Sequence, residues 1–242
     1  MAETSPTPQS FLRRGFANRL LQGHGAVFGD VGNAAVAMHF GGPAERELAA
    51  ARRLGLADLS PLPRTGFKGV GTIEWLTEQG LRIGPDSNLA YRQDGGALAA
   101  RLAPNEIFLL DDLSGAGALV SKLNAAWSWG SEKPRRLIGY PMPRADSHFW
   151  FNVMGTDSSA MFSKICGVDL RPAQFVNNAI AQTSVAKMSA IVIRDDQGAL
   201  PAYHLLGDSA SAEYMWTCLM DAMREFDGKP VGLAALRRLG SA

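Results

Sequence analysis

Cysteine is scarce in this 242-residue chain: Cys166 and Cys218 are the only two, and their spacing suits no metal site. Two reduced, largely buried thiols are expected. Histidine is scarce too. His24, His39, His148 and His204 form neither an HxH nor an HExxH pair, which leaves a zinc centre without ligands. Excess charge is absent: 24 basic and 23 acidic side chains leave a net +1, no electrostatic footprint for nucleic acid or an acidic membrane. No apolar run reaches the roughly 18 residues that cross a bilayer. The segment Met1 to Ser10 lacks the apolar core of a secretory signal. These absences predict a cytoplasmic protein with no nucleic-acid partner, no membrane partner and no metal.

Nucleotide and nucleophile signatures are missing as well. Gly23-His24-Gly25-Ala26-Val27-Phe28-Gly29 invites comparison with a dinucleotide loop, but Phe28 stands where GxGxxG needs its third glycine, and no clear strand precedes it. There is no Walker A sequence, no GxSxG, and no cysteine–histidine pair in the context of a nucleophile.

What is present is apolar material: 46% of residues against 19% charged, enough for a sizeable core and against disorder. Residues 1–23 read as a polar tail followed by a short amphipathic helix, Phe11 to Leu21. Leu12, Phe16 and Leu20 share one of its faces, to pack on its own domain or to meet a partner. Gly41-Gly42-Pro43 breaks the chain before a second helix, Ala44 to Leu54, acidic early and basic late as the helix dipole favours.

The most informative pattern is an internal duplication. Phe67-Lys68-Gly69-Val70-Gly71 leads into Ile73-Glu74-Trp75-Leu76. Val153-Met154-Gly155-Thr156-Asp157 leads likewise into Ala160-Met161-Phe162. Each reads as a strand, a tight glycine turn and a helix. A second pair matches at a constant offset of 96: Leu109/Leu205, Leu110/Leu206, Asp112/Asp208, Leu119/Met215, Val120/Trp216 and Leu123/Leu219. Asp112 and Asp208 are placed as helix N-caps. Two copies of strand–helix–strand–strand–helix predict an α+β protein: pseudo-duplicated antiparallel sheets with packed helices.

The boundaries follow from composition: a first lobe over 24–127, a Pro/Gly-rich connector over 128–146 without regular structure, a second lobe over 147–227, and a C-terminal tail over 228–242. The second lobe opens on a half-buried strand in which Phe149, Phe151 and Val153 alternate, and Val185 to Ile193 reads as another strand. Trp127 and Trp129, with Met215, Trp216, Met220 and Met223, suit core helix faces or a subunit contact. Among the carboxylates, Asp58 is flanked by apolar residues; it suits either a site acid or a structural turn. Asp195-Asp196-Gln197-Gly198 reads as a hairpin turn with exposed carboxylates. No residue is assigned a catalytic role.

These residues resemble a known family. Ala26 to Asp30, Ala34 to Gly41 and Gly55-Leu56-Ala57-Asp58-Leu59-Ser60 look like the opening of the folate-binding aminomethyltransferases, typified by the T-protein of the glycine cleavage system. Asp94-Gly95-Gly96-Ala97-Leu98 resembles that family's paired-glycine strand. Arg101 to Leu110 is similar to a phrase of sarcosine oxidase gamma subunits, as is Val168-Asp169-Leu170-Arg171-Pro172 with Phe175 and Ala181 to Ala186. The departures are specific. Ala99 and Ala100 stand where catalytic relatives place an aspartate, Pro61 replaces a histidine, and Leu200 stands where a glutamate holds the pterin.

The resemblance implies an aminomethyltransferase N-terminal-domain fold with the folate chemistry lost, leaving Asp58, Asp94, Arg194 and Asp195 as remnants of a folate site. It implies a gamma-type subunit, itself without cofactor, of a hetero-oligomer related to sarcosine oxidase or N-methylglutamate dehydrogenase. The larger flavoprotein partners would carry FAD, FMN, NAD and tetrahydrofolate. Two alternatives are a stand-alone tetrahydrofolate-dependent demethylase or aminomethyltransferase, and a folate-binding regulatory protein.

Overall fold

The computed structural model describes residues 7–127 and 139–240. The first six residues of the expected tail lie outside these, as do residues 128–138 of the expected connector, Trp129 among them.

Two antiparallel sheets repeat one strand order. The first runs β6 (Leu89–Arg92), β7 (Leu98–Ala103), β8 (Glu106–Leu110), β5 (Arg64–Lys68), β9 (Tyr140–Met142). The second runs β11 (Ile180–Val185), β12 (Met188–Arg194), β13 (Ala202–Asp208), β10 (His148–Met154), β4 (Gly55–Asp58), with β14 (Lys229–Pro230) added in parallel at the edge. Each half carries its helices in the same places: α3 (Thr72–Glu78) and α4 (Ala118–Ala126) in the first, α6 (Ser158–Phe162) and α7 (Ala212–Met223) in the second. The duplication is therefore real, with one strand more per copy than the sequence suggested, β6 and β11.

The halves are tied by equivalent residues. Asn88 and Asn178 both adopt the left-handed backbone that asparagine tolerates, with φ of 59° and 68°. The Asn178 carbonyl accepts from Ala90 N at 2.8 Å, and the Asn88 carbonyl accepts from Ile180 N at 2.9 Å. The halves also exchange strands. β4 precedes β5 in the chain yet pairs with β10; β9 precedes β10 yet pairs with β5.

The sheets stack with helices outside. Phe67, Ile107 and Leu109 pack under α3 and α4, while Phe149, Phe151 and Leu205 pack under α6 and α7. The inner faces meet through Leu98, Ala100, Phe108 and Leu110 on one side and Leu59, Trp150, Ile193 and Leu206 on the other. Burying each large side chain contributes roughly 1.5–3 kcal/mol. A small sheet of β1 (Arg13–Arg14), β2 (Val27–Val31) and β3 (Ala34–His39), with α1 (Asn18–Gly23) and α2 (Ala44–Leu54), flanks this core.

Several expectations need correction. The helix over Phe11 to Leu21 is an extended segment followed by α1, with Leu12 93% exposed. Arg13 and Arg14 pair with β3, and the backbone at Gly15 lies so close to the Asp58 carboxylate that a side chain there would displace it. The strand expected over Val185 to Ile193 holds from Met188 onward as β12; Ala186 and Lys187 before it turn with φ of 47° and 66°, so Val185 belongs to β11. β10 is buried on both faces rather than one, because its other face meets the opposite sheet. Within the connector, β9 and α5 (Arg144–Ser147) are regular, since β9 fills the edge beside β5. The segment taken as a C-terminal tail forms β14 and α8 (Leu233–Gly240), whose Leu233 and Leu236 enter the inter-sheet core. Asp112 does not cap α4. It accepts from Ser114 N, whereas Asp111 Oδ2 accepts from Val120 N at 3.1 Å in the first turn. Asp208 accepts from Ala210 N at 2.8 Å ahead of α7, as expected of a cap.

Candidate functional site

A cavity of about 480 Å³ opens between the two sheets. The first half contributes Arg92, Gly95, Gly96, Leu98 and Asp111; the second contributes Trp150, Asn152, Met154, Asp195 and His204. α8 closes one side with Leu236, Arg237 and Gly240. The pairing of Asn152 with His204 across β10 and β13 puts both on the inner face, beside Trp150.

These side chains form a directed relay. The Trp150 indole N–H donates to His204 Nδ1 at 3.0 Å. An indole can only donate, so Nδ1 carries the lone pair and Nε2 the hydrogen. Nε2 in turn donates to Asp195 Oδ2 at 3.1 Å, and Arg92 pairs with Asp195 Oδ1. Burial alone pushes the Asp195 carboxyl up; the hydrogen bond from His204 and the Arg92 guanidinium outweigh it and hold it below the usual range. Asn152 Nδ2 shares His204 Nδ1 at 3.2 Å, which orients the amide and leaves the buried Oδ1 without a partner.

Asp195 is thus the one expected site residue that lines the cavity, and it is buried, not an exposed turn carboxylate. The Asp-Asp-Gln-Gly stretch does turn, but Arg92 and His204 draw the first carboxylate inward. Arg194 points elsewhere. It pairs with Asp196 through Nε at 2.9 Å and Nη2 at 2.5 Å, and donates to the carbonyls of Pro172 and Phe175. Asp94 sits on an exposed turn paired with Arg82. Asp58 is buried under Gly15; its Oδ1 accepts from Ser60 N at 2.8 Å, the turn role weighed from sequence. Burial pushes its carboxyl up to about 6, against the hydrogen bonds from Ser60 and the charge of Arg64.

Sequence reasoning missed Arg92, Trp150, Asn152 and His204. The signal was there for two of them: Asn152 and His204 are polar residues in otherwise apolar strands. Ala99 and Ala100, where relatives are expected to place an aspartate, are wholly buried in β7. Leu200 lies in the turn beyond β12. Among the described residues no cluster of histidine, cysteine and carboxylate side chains could hold a metal ion, and no helix is long and apolar enough to cross a membrane.

No protein-family model matches the chain. It is 25% identical over 222 positions to aminomethyltransferases of Mycobacterium avium (strain 104) and Mycolicibacterium paratuberculosis (strain ATCC BAA-968 / K-10), covering 87% of this chain and 57% of theirs. The chain therefore spans less than two thirds of the length of these curated relatives. Among solved structures, glycine cleavage system aminomethyltransferase T from Bartonella henselae superposes with a TM-score of 0.71 at 16% identity, over 95% of this chain and 62% of that one. A chain of heterotetrameric sarcosine oxidase from Corynebacterium sp. U-96, solved in complex with pyrrole 2-carboxylate, superposes with a TM-score of 0.59 at 21% identity, over 78% of this chain and 94% of that one. The fold is that of the aminomethyltransferases.

Proposed function

We propose that this chain is a non-catalytic, gamma-type subunit of a heteromeric flavin-dependent amine oxidase or dehydrogenase of the sarcosine oxidase kind, acting in oxidative N-demethylation. The observation that carries this reading is the engagement of Asp195. A pterin presents a row of donors, and leaving them unpaired costs roughly 1–3 kcal/mol apiece. Asp195 and Asp111 are the buried carboxylates lining the cavity; the oxygens of Asp195 are taken by Arg92 and His204, and those of Asp111 by the backbone N–H groups of Asp112 and Val120. Freeing Asp195 means giving up the hydrogen bond from buried His204 and an ion pair whose Arg92 side is half exposed, a loss of roughly 1–3 kcal/mol. The buried Ala99 and Ala100 offer neither a proton acceptor nor a negative charge.

The sarcosine oxidase chain is matched over nearly its whole length, so the two chains are of comparable size. In this reading FAD, FMN, NAD and tetrahydrofolate sit on larger flavoprotein subunits, and this chain stabilises the assembly. Purification from the native host is expected to recover flavoprotein partners, with flavin absorbance co-eluting with the chain. A monodisperse monomer at native expression levels would overturn the proposal.

One observation favours a second reading, a stand-alone tetrahydrofolate-dependent aminomethyltransferase: the cavity persists, and Asn152, which lines it, keeps a buried Oδ1 without a partner. Calorimetric titration of the isolated protein with tetrahydrofolate separates the two. The subunit reading expects no saturable binding.

A further inference from the structure

Cys166 and Cys218 are both free thiols, both half-buried, and both line one surface groove away from the inter-sheet cavity. Two ties bracket them. On one side Lys164 Nζ donates to the Ala222 carbonyl at 3.1 Å. On the other, the Ile165 carbonyl accepts from Ala186 N at 2.8 Å, and the Ala186 carbonyl accepts from the Tyr214 hydroxyl at 3.1 Å.

Tyr214, Cys218 and Ala222 succeed one another every fourth residue along α7 and so share a face. The segment 164–166 is therefore tied to α7 one turn after Cys218 through Lys164, and one turn before it by way of Ala186. Cys218 lies on this face of α7 between the two ties and lines the same groove as Cys166. The Tyr214 hydroxyl also meets the Cys218 thiol, and that contact pushes the hydroxyl above its ordinary range.

We propose that Cys166 and Cys218 are a redox pair that closes into an intramolecular disulfide when a small hydroperoxide enters the groove. One thiolate attacks a peroxide oxygen; the O–O bond breaks, and the remainder of the hydroperoxide leaves with a proton as alcohol or water. The sulfenic acid so formed is attacked by the second sulfur, the S–O bond breaks, the S–S bond forms, and water leaves. Two thiols lose two electrons and two protons while one hydroperoxide is reduced. A pair of this kind suits a reducing compartment, where disulfides are transient and signal oxidation. The proposal is independent of the chain's place in an amine-oxidising complex.

The test uses the full chain, reduced and desalted, treated with hydrogen peroxide under native conditions. Thiols titratable with a chromogenic disulfide are expected to fall from two per chain to none. Intact mass should drop by two hydrogens, and one peptide pair should link residues 166 and 218. In Cys166→Ser or Cys218→Ser the remaining thiol should instead be trapped by dimedone as a sulfenic acid. The wild-type measurement decides the matter even where a variant folds poorly. Independent oxidation of each sulfur to sulfinic acid, a cross-linked dimer, or two thiols still titratable would each overturn the pair.

Discussion

Gly69 and Gly155 hold the same place in the two halves of the molecule and share a φ of 117°. Three residues on, the hydroxyls of Thr72 and Ser158 each donate back to the glycine carbonyl at 2.6 Å. Their surroundings differ. A side chain at Gly155 would overlap the backbone of Arg53 and Leu54, while at Gly69 it would only press on the Tyr140 ring at 3.2 Å and on Gly139 Cα at 3.3 Å. A ring can shift; the end of α2 cannot. Gly155→Ala is expected to cost roughly 3–4 kcal/mol and Gly69→Ala about 1–2 kcal/mol, read from urea denaturation. Equal losses would mean that backbone strain alone governs both sites.

His204→Ala removes the acceptor for Trp150 and the donor for Asp195 together. Two buried groups then lose partners, and a destabilisation of roughly 2–4 kcal/mol is expected. Chemical denaturation measures it, and the Asp195 carboxyl should move upward in a carbon-13 NMR titration. A neutral result would show that water takes over both bonds.

Stability should depend on pH through two opposed groups. The folded state holds the Asp58 proton up to about 6, above its ordinary value of 3.8, so Asp58 binds more protons folded than unfolded in that window and stability falls as pH rises through it. His148 behaves in reverse. Burial, with Arg144 and Arg64 nearby, holds it down to about 4, so its contribution is lost as pH falls from about 6.5 toward 4. Asp58→Asn is expected to gain on the wild type as pH rises from 4 to 7, by on the order of 2–3 kcal/mol in all. His148→Gln should flatten the acid side. Parallel curves for wild type and Asp58→Asn would refute the assignment.

The capping of α4 separates two adjacent aspartates. Asp111→Ala should cost about 1–2 kcal/mol because it strips Val120 N and Asp112 N of their acceptor. Asp112→Ala, which removes one bond in an exposed turn, should cost about 0.5 kcal/mol or less. Thermal melts of the two variants decide which residue is the cap.

What the sequence made legible was local. The bounds of α2 follow from Gly41-Gly42-Pro43 before it and from its charge order, all within a few residues. The duplication showed because a strand, an aspartate and a helix face recur in step. Ala186 and Lys187 gave no warning of a turn, since neither is a residue that usually adopts positive φ. β6 and β11 went unseen because Leu89-Ala90-Tyr91-Arg92 and Ile180-Ala181-Gln182-Thr183 carry little apolar contrast. The cavity was the least readable part. Asp195 looks like a turn carboxylate to its neighbours, and the arginine it pairs with, Arg92, is 103 residues away in the chain.

The exchange of β4 and β9 between the sheets bears on how the molecule comes into being. β4 waits for β10, and its outer neighbour Lys229 pairs with Gly55 from about 170 residues further along. A nascent chain leaving the ribosome therefore carries β4 unpaired until β10 has emerged, and neither half, expressed by itself, owns all the strands it needs.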